Sequence, residues 1–160
     1  MIYSKKRNQY NTVRSHNNTA KRKNLRCELT FEEWQEIFFI DFKSGSAISC
    51  ASYPEYILIL EHVIPLSWGH GGTYKGNVIP LTDPENMSIS NRNPISYLND
   101  DVLEYLAKQN DLTLEEYISF VNWCEQNKRL KKECRMYKGT YNSLEVWKSL
   151  QYNESPNNTK

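Results

Sequence analysis

Two short apolar runs, Tyr56-Ile-Leu-Ile-Leu60 and Val78-Ile-Pro-Leu81, flank a stretch from Leu66 to Gly76 that holds four of the chain's six glycines. Each run has the length and composition of a buried strand, and the glycine-rich stretch between them is a loop. The second run leads directly into Thr82-Asp-Pro84. Thr82 or Asp83 can cap a helix there, with Pro84 at its first position, where a missing N–H costs nothing. That helix is expected to reach about Arg92, before Pro94. Pro65 is expected to end the first strand. The order is therefore strand, long loop, strand, helix.

The rest of the chain reads as helix. Thr30 and Glu33 form a capping box, and Phe31, Trp34, Ile37 and Phe38 recur at helical spacing, which predicts a helix from Phe31 to about Asp41. Lys43-Ser-Gly-Ser46 breaks it. Asn99 to Lys108 predicts another helix. A second capping box, Thr113 to Glu116, opens a further one, with Leu114, Tyr117, Ile118, Val121 and Cys124 on one face. Its end runs into Lys128-Arg-Leu-Lys-Lys-Glu-Cys-Arg135, either a DNA-facing surface or a solvated helix end. The fold class expected is α+β, a β-hairpin plus helix with a preceding helix and additional C-terminal helices. At 160 residues the chain has the length of one domain with tails.

Charge is distributed unevenly. The net charge is only +1, yet residues 1–26 hold Lys5, Lys6, Arg7, Arg14, Lys21, Arg22, Lys23 and Arg26 and no acid, leaving the remainder at −7. A basic arm ahead of an acidic body is a footprint of nucleic-acid binding; a solubilising tail is the plainer alternative. The arm shows no helical or strand period, so it is expected to be flexible, as is the tail at 152–160. No apolar run approaches the ~20 residues of a membrane span. The start of the chain has no apolar stretch behind its charges, so the expected address is the cytoplasm, that of the host if the chain is phage-encoded. Cys27, Cys50, Cys124 and Cys134 lack the paired spacing of a zinc knuckle and are expected to be free thiols, with no structural zinc.

Chemically useful groups concentrate around the hairpin. Glu61 and His62 end the first strand, His70 lies in the loop, Asn77 opens the second strand and Asn86 lies on the helix. Strand alternation sends Glu61 and His62 to opposite faces unless the strand bends at Val63-Ile-Pro65. A carboxylate and an amide carbonyl are hard ligands suited to Mg²⁺ or Mn²⁺, and a neutral histidine nearby can take a proton from water. On its own, a Glu-His pair is a weak signal, read more readily as a buried structural histidine.

The whole run from Glu61-His62 through His70 and Asn77 to Asn86 resembles the motif of the HNH endonucleases, the ββα-metal nucleases. The nine-residue step from Asn77 to Asn86 is similar to that of the HNH domain of RNA-guided DNA-cutting enzymes. The basic arm followed by Leu29-Thr-Phe-Glu-Glu-Trp34 is similar to small phage or mobile-element HNH proteins. The resemblance covers about residues 20–94. It implies a nuclease core at 27–97 between the arm (1–26) and a helical extension (98–151), acting on DNA, double-stranded by expectation. It implies further that Glu61 and Asn86 bind one Mg²⁺ or Mn²⁺, that His62 is the general base and that Asn77 is structural, fixing the loop around His62. Ser90, Asn91 or Asn93 could replace Asn86. His70, Lys75 and Arg92 are candidates for contacting phosphate. Two positions depart from the family pattern: Thr82 and Glu85 stand where many small phage enzymes carry a second cysteine pair, and Glu61 replaces the commoner aspartate. A non-catalytic DNA-binding or accessory protein on the same scaffold is the alternative, and a helical adaptor built on residues 98–150 a third.

Overall fold

The computed structural model describes residues 2–154, and side chains from 8 to 153. Lys5, Lys6 and Arg7 thus fall outside the described side chains, and the expected tail beyond Glu154 falls outside the described residues. The fold is α+β, with seven α-helices around two small two-stranded sheets among the described residues.

At its centre β2 (Leu58–His62) pairs antiparallel with β4 (Val78–Thr82), placing Glu61 opposite Ile79 and His62 opposite Val78. The first strand begins two residues later than expected, because Tyr56 and Ile57 are exposed, and it ends at His62 rather than at Pro65. The register gives the pair two distinct faces. Leu60 and Val78 pack with Val13, Leu29, Trp34, Ile37 and Phe38. Ile79 and Leu81 pack with Ile89 and with Leu103, Leu106, Tyr117, Phe120 and Trp147 of the C-terminal half. Residues 98–151 are accordingly one wall of the core and not an appendage.

The helix α3 (Asp83–Ile89) starts as expected, with Thr82 as its cap in a capping box with Glu85 and Pro84 in the first turn. It stops three residues short of Arg92. Ser90 adopts a left-handed φ of 47°, so it caps the helix and does not continue the Asn86 face by a further turn. The box of Thr30 and Glu33 opens α2 (Phe31–Glu36), which widens into a π-helical turn over Ile37–Asp41. On the C-terminal side, α4 (Asp100–Gln109) and α5 (Leu114–Gln126) form as expected. The basic stretch breaks from α5 and forms its own short α6 (Lys131–Met136), and α7 (Ser143–Glu154) closes the chain, ordering 152–154. No helix among the described residues is long and apolar enough to cross a membrane.

The arm departs most from expectation, since residues Ile2–Lys21 form α1, the longest helix of the protein. Tyr10, Val13, Asn17 and Ala20 lie on one face. Tyr10 meets Phe31 edge-on, Val13 and Ala20 are buried, and Asn17 Nδ2 donates to the Leu29 carbonyl at 2.8 Å. Only Val13 and Ala20 of this stripe are apolar and buried, with Asn17 anchored through its amide N–H, so hydrophobicity alone hides its period. After α1, β1 (Arg26–Cys27) runs parallel to β3 (Gly72–Thr73) of the glycine-rich loop. That approach requires glycine at 72, where φ is +136° and a Cβ would stand 2.5 Å from the Arg26 carbonyl oxygen.

Candidate functional site

Alternation along β2 holds to the strand's last residue. His62 shares the Leu60 face, toward α1, while Glu61 shares the Ile79 face, toward α3. No bend is needed to bring them together, because a cavity of about 280 Å³ wraps the strand end and both line it. Ser90 and Asn91 line it from beyond α3, Pro65, Leu66 and Ser67 from the loop, and Ser15, His16 and Thr19 from α1.

Glu61 Oε1 accepts from the His62 backbone N–H at 3.0 Å, and the Asn86 amide donates to the same carboxylate. Burial raises the Glu61 pKa, and these two hydrogen bonds oppose the rise. The carboxylate and the helix amide expected to act as a pair are therefore neighbours. Asn86 can donate only through its NH₂, so its Oδ1 remains available as an oxygen ligand. Asn91 accepts from the Ser67 hydroxyl at 3.2 Å. Asn93 is committed elsewhere, donating to Asn122 and Glu125 and accepting from Ile95 N–H.

The tautomer of His62 follows from a relay of hydrogen bonds. Thr73 Oγ1 donates its one proton to the His16 carbonyl at 3.1 Å, so at 2.8 Å from His62 Nε2 it can only accept. The ring proton therefore sits on Nε2, and Nδ1 carries the lone pair. Burial, reinforced by the His16 ring 5.0 Å away, pushes the His62 pKa down to about 3. The imidazole is neutral at physiological pH and holds its basic nitrogen on a known side of the ring.

Thr73 and His16 were not singled out in the sequence, since nothing in residue spacing reports that α1 and β3 meet at β2. Thr73→Val removes the acceptor that selects the tautomer. A loss of about 10–100-fold in turnover is expected, with Thr73→Ser retaining most activity. Imidazole ¹⁵N shifts showing a mixed tautomer in the valine variant check the cause; an unchanged tautomer would remove Thr73 from this role.

Asn77 is fully buried and holds the strand ends together. Its Oδ1 accepts from Ile64 N–H at 2.8 Å, and its Nδ2 donates to the Gly72 and Ile64 carbonyls at 2.8 and 3.3 Å. It clamps the chain just past His62 to the loop bearing Thr73.

Several other expected contacts fall away from the cavity. His70 is buried, donates from Nε2 to the Asn127 carbonyl at 2.7 Å and packs on Trp123 and Tyr141, so it cannot meet a phosphate at this site. Lys75 is paired with Glu36 at 2.9 Å. Arg26 is bound to Glu28 and stacks on Tyr74, its guanidinium carbon 3.6 Å from the ring centre. Arg14, Lys21 and Arg22 remain on the exposed side of α1, Lys23 is half-buried, and Arg92 is exposed beside Tyr97. The four cysteines are free thiols, Cys124 and Cys134 buried. No family model matches the chain, and neither does any curated protein or solved structure.

Proposed function

We propose that this chain is a metal-dependent DNA endonuclease of the HNH, ββα-metal type, hydrolysing phosphodiester bonds with His62 as the general base. The observation that carries this reading is the meeting of three groups at one strand end: a carboxylate, a helix amide beside it, and a neutral imidazole with a fixed tautomer, the first and last lining one cavity. A merely structural histidine has no need of a carboxylate–amide pair next to it.

Glu61 and Asn86 are the residues that would hold one Mg²⁺ or Mn²⁺. The donor set proposed is one carboxylate oxygen and one amide oxygen. It fits a small hard cation, which takes one or two protein oxygens and completes its shell with water and substrate phosphate. When bound, the cation offsets charge developing on the phosphate and on the leaving oxygen. His62 Nδ1 accepts the proton of the water that attacks phosphorus in line with the leaving 3′ oxygen. Thr73, held by the His16 carbonyl, keeps the other ring proton in place, and Asn77 fixes the strand end. Arg92, exposed with its Nε on the Ile89 carbonyl, is the cation on the α3 side placed to meet a flanking phosphate.

The test is incubation with supercoiled, linear and single-stranded DNA, with Mg²⁺ or Mn²⁺ and with EDTA. Metal-dependent nicks or breaks are expected. DNA binding without cleavage under every metal would leave the accessory reading in its place. Glu61→Ala and Asn86→Ala should each cost roughly 10²-fold in turnover, the scale of losing one preorganised electrostatic group. If Asn86→Ala stays active while Asn91→Ala or Ser90→Ala is dead, the helix ligand is misassigned.

A further inference from the structure

A second cavity of about 300 Å³ opens beside the first, between α1 and α6. Thr19, Leu66 and Ser67 line both, so the two adjoin along these residues. Its walls carry Arg22 and Lys23 from the end of α1, Arg129 from the segment before α6, and Lys131 and Arg135 from α6, with no carboxylate among them. None of the five forms an ion pair among the described residues. Five cations facing one concave surface without counter-charge repel each other, a cost that an anionic ligand relieves.

The cleft is built rigidly. Asn24 Nδ2 donates to the Cys134 carbonyl at 2.9 Å and Tyr141 N–H donates to the Asn24 carbonyl, tying the end of α1 to α6 and to the segment beyond. Arg129 N–H donates to the Trp68 carbonyl at 2.8 Å, its side chain donates to the Gly69 carbonyl, and its guanidinium stacks 3.6 Å from the Tyr141 ring centre. Arg129 is thus a fixed part of the wall. Lys131 and Arg135 are exposed, Arg22 is exposed with one N–H on the Thr19 hydroxyl, and Lys23 is half-buried.

We propose that the α1–α6 cleft seats the phosphate backbone of a nucleic-acid strand running past Ser67 from the His62 cavity. This rests on the nuclease reading for the identity of the strand, and deepens it by assigning the non-scissile phosphates a site. The arm and the basic stretch near residue 130, far apart in sequence, form one surface. The contact is to backbone charge, which a cluster of cations without a carboxylate complements.

The experiment measures binding of the full chain to a duplex and to its single strands in EDTA, over a range of salt. Lys131→Glu/Arg135→Glu is compared with Lys43→Glu/Lys108→Glu, which makes the same charge change at exposed positions outside the cleft. Thermal melts confirm that both variants fold. The cleft variant should bind at least tenfold more weakly, and its slope of log K against log salt should be shallower by about 2, at about 0.9 for each phosphate lost. Where wild type cleaves, its turnover at saturating DNA should stay within about threefold, because these cations touch no reacting atom. Equal losses in both variants, or no loss, would overturn the proposal. So would a mononucleotide competing as well as a 16-mer, which would make the cleft a small-anion site. Loss of binding in the cleft variant of a protein that never cleaves would sustain the cleft and refute the catalytic reading; full binding with normal cleavage would do the reverse.

Discussion

His62→Ala is expected to lower the DNA cleavage rate by ~10²–10⁴ while DNA affinity in EDTA stays unchanged. The imidazole acts on the attacking water, and its ring contributes one hydrogen bond to the scaffold, to Thr73. Near-normal turnover in the variant would remove His62 from the mechanism. Acid stability supplies an independent readout without metal. The folded pKa of His62, about 3, lies below its ordinary value of 6.5. The neutral ring's contribution is therefore complete above about pH 6.5 and is lost as pH falls toward 3, because the unfolded chain takes up the proton first. Wild type should lose denaturant stability between pH 7 and pH 4.5, and His62→Ala should lose less. Equal losses would assign the acid sensitivity to His16 and His70, which burial also holds low.

Local signals in the sequence carried the parts of this protein that depend on neighbours within a few residues. The capping boxes at Thr30 and Thr113 and the cap at Thr82 with Pro84 are set by contacts three residues apart, the strand at Val78 shows as a short apolar run, and the structure has each of them. The pairing of Glu61 with Asn86, 25 residues on, came instead from the resemblance of the whole motif, and in the structure the β2–β4 register and the capped turn into α3 bring them together. Asn77 was legible as a residue that fixes the loop, although its actual bonds to Ile64 and Gly72 required the loop's path. What stayed hidden was every contact made by distant segments. His70 looked available because glycines surround it, yet α5 and the segment before α7 bury it under Trp123 and Tyr141. Lys75 and Arg26 looked like free cations until Glu36, Glu28 and Tyr74 came beside them. The role of α1 was hidden by its stripe, in which Asn17, bonded to the Leu29 carbonyl, and the small Ala20 stand where leucines usually would.

That last difference has a sharp consequence. Were residues 1–26 a flexible arm, their deletion would weaken DNA binding and leave the chemistry intact; the structure predicts instead that the truncated chain loses its cooperative fold. Val13 and Ala20 are buried, and the helix also covers Leu25, which stands 1% exposed at its end. Burying one valine or leucine contributes about 1.5–3 kcal/mol, so these three residues together amount to about 4–7 kcal/mol. That is comparable with the whole stability of a typical domain, about 5–15 kcal/mol. Deletion also removes the His16 carbonyl that orients Thr73, and with it the device that sets the His62 tautomer. A point variant separates these roles without shortening the chain. Val13→Asp, which places a carboxylate among Leu29, Trp34 and Leu60, should cost about 3 kcal/mol and lower the melting midpoint by roughly 6–12 °C. Arg14→Glu/Lys21→Glu, on the exposed side of the same helix, should leave the midpoint within about 2 °C and weaken DNA binding instead. A truncated chain that melts like wild type and differs only in DNA affinity would show that α1 is a detachable tail after all.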